Sequence, residues 1–418
     1  MEWNVYAAVV LAALVGEYLL RSLGRWLNLK ALRREPPAEL ADVYDPEAYR
    51  RSQDYTRDAI RFGLVNATVN LLALLAFWFA GGFAWLDARV RALELPMPWD
   101  GVIFIGALAL AQAVLLGLPA SVYETFVLEQ RYGFNRTTPR TFVLDWLKGL
   151  LLGLVIGGPL VALILVFFAR FGDDAWWISW LVVSVLIVLL QLIFPIWILP
   201  LFNRFQPLED GELRRALEAY ARRVGFRLDG IFVMDGSRRS SRGNAFFTGF
   251  GRSKRIALFD TLIAEHSVPE LVAILAHEVG HYKRRHLLKG MALSIAHLGL
   301  LFYLLSLVLG ERGLYQAFGI AEPSIAAGLV FFGLLYAPVE LLLSLGMNAL
   351  LRRHEYEADR FASETAGPAA LTSALKKLAR SHLTNLTPHP LYVALNDSHP
   401  PLVERLAAIA RCSASSTS

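Results

Sequence analysis

Seven stretches of this sequence, near residues 3–22, 62–83, 101–121, 142–168, 177–202, 287–310 and 325–350, stay apolar over about the 20 residues a helix needs to cross a hydrocarbon core. A soluble fold would have to cover seven such helices on every side. Hydrophobic residues are 55% of the 418 and charged ones 18%, too apolar a balance for that cover to exist. Inside lipid the backbone must satisfy its own hydrogen bonds, so helices are the form these stretches can take. The expected fold class is an α-helical multi-pass membrane protein with seven transmembrane helices. The first stretch carries Glu17, lacks a basic n-region and shows no small-residue cleavage site, so it reads as a retained helix and not a cleaved signal.

Lys and Arg in the loops set the orientation. They gather after the first stretch (Arg21, Arg25, Lys30, Arg33, Arg34, Arg50, Arg51, Arg57) and after the third (Arg131, Arg136, Arg140). They are dense again between Arg204 and Arg285 and from Arg352 onward, while the opposite loops hold Arg89, Arg91, Arg170 and Arg312. The alternation that fits has the N-terminus on the non-cytosolic side and the C-terminus in the cytosol. The net charge of +5 then follows membrane topology and gives no reason to expect nucleic acid as a partner. An Ala/Leu/Arg-rich composition and a short tail point toward a bacterial inner membrane, with the endoplasmic reticulum membrane as the alternative, and the chain is expected to act as a monomer among membrane lipids. The lone cysteine, Cys412, excludes an intrachain disulfide and a cysteine-based metal site. It is also too far from the C-terminus to be a lipidation signal.

Two domains are expected: residues 1–202, a membrane domain of five spans, and residues 203–418, which hold a polar segment, two more spans and a cytosolic tail. In the polar segment Leu213 to Val224 has helical apolar spacing, while Gly230 to Met234, Asn244 to Phe250 and Arg255 to Phe259 are β-rich. Asp235 to Gly243 reads as a loop and Gly251 to Ser253 as a turn. Ser267 and Glu270 have capping-box spacing and should start a helix that runs toward His286 and directly into the sixth span. The Ser/Thr-rich end from Cys412 to Ser418 is expected to lack structure.

On the helix after Ser267 lies His277-Glu278-Val279-Gly280-His281. Residues four apart share a helical face, so two imidazoles can reach one metal ion while Glu278, one position round, addresses a water on it. A catalytic zinc takes three protein ligands and keeps a position for water. The third is sought just past the seventh stretch, in Arg353-His354-Glu355-Tyr356-Glu357-Ala358-Asp359. Glu355 and Asp359 are four apart there. Glu355 is expected to complete the ligand set, with Asp359 orienting a ligand histidine through its other N–H. Glu357 reads as a surface charge, and His286 and His354 as interfacial helix residues.

The chain resembles the CaaX prenyl protease 1 family of integral-membrane zinc metalloproteases, and the matching stretches run in order along nearly its whole length. They are Tyr132-Gly133-Phe134-Asn135, Leu201 to Phe205, Asn244 to Gly249 with Arg255 to Leu262, the two metal motifs, and His399-Pro400-Pro401-Leu402-Val403-Glu404-Arg405. The resemblance implies a small cytosolic α/β zincin-like metalloprotease domain, one Zn2+ per chain, and hydrolysis of peptide bonds in prenylated CaaX-like C-terminal peptides. It implies that His399 and Arg405 line the site and contact substrate or oxyanion, although helix capping after the Pro-Pro turn would also account for them. Asn244, Ala245 and Phe246 match the family's substrate-pairing strand, where an extended peptide could add along a free edge; a plain sheet interior is the alternative. A large water-filled chamber among the spans is implied as well, which Asp145, Lys148 and Glu340 could face. The rival functions are a membrane quality-control metalloprotease and a non-catalytic scaffold or transporter with a structural zinc site.

Overall fold

The computed structural model describes residues 2–248 and 254–415. Among them are seven helices long and apolar enough to cross a membrane: Val5–Ala31, Pro46–Phe79, Trp99–Glu129, Pro139–Arg170, Gly172–Phe202, His286–Val308 and Ile325–Ala366. Each contains most of one of the apolar stretches, and several run past its ends because good caps lie beyond the apolar residues. Asp45 caps the second helix by accepting from the N–H groups of Glu47 and Ala48, with Pro46 in the first turn. The seventh begins at the Ser324 cap and stops before Gly367, whose φ is +99°. Its 42 residues extend about 63 Å at 1.5 Å per residue, about twice a hydrocarbon core. One continuous helix, with Pro338 inside it, therefore carries both a membrane span and the Glu355–Asp359 stretch beyond it.

The spans bury little of themselves against one another. Only 6% of the apolar window of the second and of the fourth is buried within the chain, against 33% for the seventh. At the end of the bundle opposite the sheet, Trp78, Phe83, Leu314, Tyr315, Phe318 and Phe331 form a core. Phe318 stacks on Phe331 at 3.9 Å between centroids, and Trp78 Nε1 donates to the Ala317 carbonyl. Polar side chains join each other along the spans between. Gln112 donates to Asn70 at 2.8 Å, and His297 Nε2 lies 2.9 Å from the Tyr336 hydroxyl and 3.2 Å from Glu340. Asp145 and Lys148 are engaged at the other end: Arg239 Nε donates to Asp145 and Arg239 Nη1 to Asn203, while Lys148 donates to the Leu201 carbonyl.

Beyond the fifth span the chain forms a four-stranded sheet, ordered β1-β2-β4-β3, from β1 (Phe205–Pro207), β2 (Gly230–Met234), β3 (Ala245–Thr248) and β4 (Arg255–Phe259). β2 and β4 are parallel; β1 and β3 pair antiparallel at the two edges. The helix Glu212–Arg223 and the helix Val268–Lys283 bury Leu217, Ile256, Leu258, Leu271, Leu275 and Val279 in a core shared with Ala362 of the seventh helix and Leu371 of the helix after it. The loop Tyr132 to Asn135 is drawn into this unit. Tyr132 and Phe134 are buried, Gly133 takes φ +75°, and Asn135 makes a β-bridge to Ser240.

Three sequence expectations need adjustment. The third strand starts at Ala245, one residue after Asn244, and its expected last residues and the turn at Gly251–Ser253 lie outside the described residues. The helix bearing His277 does not continue into the sixth span. It ends at Lys283, Arg285 takes a left-handed conformation with φ +58°, and a new helix begins at His286; a left-handed residue cannot sit inside a right-handed helix. Of the end from Cys412 to Ser418, the first four residues continue the helix Leu402–Ser415, in which Ala407, Ala408 and Ala410 favour helix and Ile409 is buried; residues 416–418 lie outside the described residues.

Glu270 closes the start of the His277 helix. Its carboxylate accepts from the Ser267 N–H at 2.7 Å and from Lys377 Nζ at 2.7 Å and Ser373 Oγ at 2.5 Å. Burial alone would raise this carboxyl, but those partners outweigh it and hold it at about 2. A depressed folded-state pKa contributes stability that is present above the unfolded value, near 4.5, and is lost as pH falls toward 2. Acid titration of wild type against Glu270→Gln should show the wild-type advantage shrinking between about pH 4.5 and 2. A constant difference across that window would mean that the carboxylate charge is not what holds the helix start.

Candidate metal centre

The His277 helix crosses the seventh helix beyond its apolar part, and Gly280 sets the distance. A Cβ there would lie 3.0 Å from Ala358 Cα and 3.1 Å from its carbonyl oxygen. Backbone cannot move aside as a side-chain tip can, so the two helices meet this closely because residue 280 has no side chain. The crossing brings His277 and His281 against Glu355.

The two Nε2 atoms are 3.1 Å apart. Glu355 Oε2 is 3.5 Å from His277 Nε2, and its Oε1 is 3.3 Å from His281 Nε2. Three ligands each about 2.0–2.2 Å from one tetrahedral ion stand about 3.3–3.6 Å from one another, so the triangle has the right size. Its chemistry fits too. His277 Nδ1 is 2.8 Å from Asp359 Oδ1, and a carboxylate only accepts, so Nδ1 carries the proton and Nε2 presents a lone pair. Glu355 Oε2 is buried and takes no hydrogen bond. Two imidazole nitrogens and a carboxylate oxygen converging on one point fit a cation, and this is the group of that kind found among the described residues.

Asp359 is almost wholly buried, and its second partner is Arg405, whose Nε and Nη2 each donate to one of its oxygens at 2.7 Å. Burial penalises the Arg405 charge, but the Asp359 carboxylate outweighs the penalty and raises its pKa. His277 shows the same contest: burial works against the imidazolium, and Asp359 more than compensates. The guanidinium for which the resemblance implies contact with substrate or oxyanion thus clamps Asp359, with Nη2 3.6 Å from Glu355 Oε2. His399 lies on the open side. Its ring is two-thirds exposed, its Nε2 is 3.5 Å from Glu355 Oε1, and its Nδ1 is 2.9 Å from Ser398 Oγ. Glu278 is half-buried beside the triangle, and burial raises its carboxyl pKa against the pull of the two imidazoles.

Ala245 and Phe246 lie on β3, which packs against the His277 helix and is an edge strand, so the plain-interior alternative does not hold among the described residues. Asn244 sits just before it, exposed, its side-chain oxygen accepting from the Ala245 N–H. A cleft of about 600 Å3 runs from His399 and the Pro400-Pro401 turn to Arg25, Tyr55, Arg242 and His382. Two groups read differently in the sequence. Glu357 is no idle surface charge: it lies 3.1 Å from His286 Nε2, and His286 Nδ1 lies 3.0 Å from His281 Nδ1. No sequence signal linked them, since His286 is five residues beyond His281 and off its helical face.

The chain matches known proteins over nearly its whole length. Residues 25–204 match the family described as CAAX prenyl protease N-terminal, five membrane helices, and residues 207–413 match peptidase family M48. The CAAX prenyl protease 1 of Saccharomyces cerevisiae is 36% identical over 399 residues, covering 89% of this chain and 88% of that one. The chain belongs to the CaaX prenyl protease 1 family. The Homo sapiens CAAX prenyl protease 1 homolog is 32% identical over 423 residues, with 89% and 88% covered. A crystal structure of S. mikatae Ste24p superposes with a TM-score of 0.92 at 34% identity, covering 98% of this chain and 100% of that one. The protein is accordingly a multi-pass integral membrane zinc metalloendopeptidase, acting on peptide or protein substrates.

Proposed function

We propose that this endopeptidase cuts prenylated, CaaX-like C-terminal peptides, using one zinc ion held by His277, His281 and Glu355. The observation that carries the reading is the triangle of three lone-pair donors, 3.1–3.5 Å on its edges, with the half-buried Glu278 carboxyl beside it. Zinc bound there would polarise the scissile carbonyl and acidify a water. Glu278 takes that water's proton and passes it to the departing amine. His399 faces the open side of the triangle and donates to the carbonyl oxygen as charge develops. Asp359, clamped by Arg405, keeps His277 in the tautomer that leaves Nε2 free. The free edge of β3, with Asn244, Ala245 and Phe246, holds the peptide extended by backbone hydrogen bonds.

The lightly buried spans and the polar groups along them support a water-filled space within the bundle, since polar side chains at membrane depth face protein or water. The density of Lys and Arg supports a cytosolic metal centre. The relatives named above are eukaryotic, which supports an endoplasmic reticulum setting as readily as the bacterial inner membrane suggested by composition. The test is cleavage of a farnesylated CaaX peptide beside its unmodified twin, with and without a zinc chelator. Chelator-sensitive cleavage of the farnesylated peptide, restored by added zinc, is the expected result. If that peptide stays whole while unfolded membrane proteins are cut, the substrate reading gives way to quality control.

A further inference from the structure

His277 is oriented by a carboxylate, and among the described residues His281 has no carboxylate of its own on Nδ1. His286 stands there instead. The break after Lys283 makes this possible. Within one continuous helix residues five apart point about 140° apart, but the left-handed Arg285 (φ +58°) turns the chain so that the first residue of the sixth span folds back onto the metal helix. His286 Nδ1 then lies 3.0 Å from His281 Nδ1. Its other nitrogen, Nε2, lies 3.1 Å from Glu357 Oε2, and the second Glu357 oxygen accepts from Arg353 Nε at 3.2 Å.

The proton positions follow from the far end inward. The Glu357 carboxylate only accepts, so His286 carries its proton on Nε2 and leaves Nδ1 as an acceptor. That acceptor takes the N–H of His281 Nδ1, which leaves His281 Nε2 as a lone pair facing the triangle. His354 stacks on His286 with 3.9 Å between centroids and planes 8° apart, and the His286 ring is buried, so its orientation is fixed from the face as well as the edge.

We propose that His286 and Glu357 are positioning residues for the metal centre, a His281–His286–Glu357 relay that does for the second histidine what Asp359 with Arg405 does for the first. The relay joins the start of the sixth span to the seventh through the ligand, so the seating of two membrane helices enters the affinity for zinc. It rests on the reading of His277, His281 and Glu355 as zinc ligands.

The test is zinc affinity of the full-length purified protein, measured by competition with a chromophoric chelator and independent of peptide cleavage. Outer partners of ligand histidines are worth about 10- to 100-fold in metal affinity. His286→Leu, which removes the acceptor, should weaken zinc binding by about that factor. His286→Asn, whose side-chain oxygen stands where Nδ1 does, should recover most of it. Glu357→Ala, at a partly exposed position, should weaken zinc binding in the same direction. Wild-type affinity in His286→Leu or in Glu357→Ala would overturn the relay, and so would equal losses in the Leu and Asn variants, which would reduce His286 to packing. A wild-type protein that binds no zinc would overturn the ligand assignment itself, a failure distinguishable from that of the relay.

Discussion

Glu278→Gln is expected to lower peptide cleavage by about 10^3-fold, within the range a positioned general base contributes, while zinc binds as in wild type. The substitution keeps the size and hydrogen-bonding reach of the side chain and removes only its capacity to take a proton. Glu278 belongs neither to the triangle of His277, His281 and Glu355 nor to the Asp359–Arg405 clamp, so the metal site should assemble unchanged. Turnover of a susceptible peptide is measured beside zinc content on the same preparation. A variant that keeps near-wild-type turnover would remove the carboxylate from the chemistry, and one that loses zinc would make Glu278 a structural residue. The scaffold reading fares worst here, because a structural zinc site has no use for a base held beside it.

Gly280 should be nearly as sensitive, for a reason unrelated to proton transfer. Alanine in place of an interior helical glycine ordinarily stabilises by about 1 kcal/mol. At this position the added methyl would lie 3.0 Å from Ala358 Cα, 3.1 Å from the Ala358 carbonyl and 3.2 Å from Phe361 Cβ, and forcing atoms into such packing costs about 1–3 kcal/mol. The clash outweighs the propensity gain because two of the three contacts are backbone. Relief comes by moving the His277 helix away from the helix that holds Glu355. A displacement of about 1 Å can cost about 10^2-fold in rate. Gly280→Ala should therefore lower both zinc affinity and turnover, and Gly280→Val should abolish zinc binding. Wild-type zinc affinity in the alanine variant would show that the helix crossing tolerates more room than its contacts suggest.

Some of this was legible in the sequence because the signals are local. Apolar runs of spanning length gave seven helices near their observed positions, since in lipid the backbone has no other way to satisfy itself. Histidines at i and i+4 share a face in any helix, and so do Glu355 and Asp359. The Ser267–Glu270 cap was readable for the same reason. Helix ends were less so: Arg284-Arg285 carries no glycine or proline to announce the break that separates the metal helix from the sixth span.

What local spacing could not supply was how separate segments meet. That Arg405 clamps Asp359, 46 residues away, is visible only in the fold. Glu357 looked like a solvated charge until His286 arrived beside it from another helix. The sequence by itself determined the membrane helices and which side chains could bind a metal, because periodicity and hydropathy act within a few turns. The tertiary structure alone decided that two histidines and a glutamate share one small triangle, and which buried partners hold them there. That depends on two helices approaching across Gly280, a contact between residues distant in the chain that no local pattern encodes.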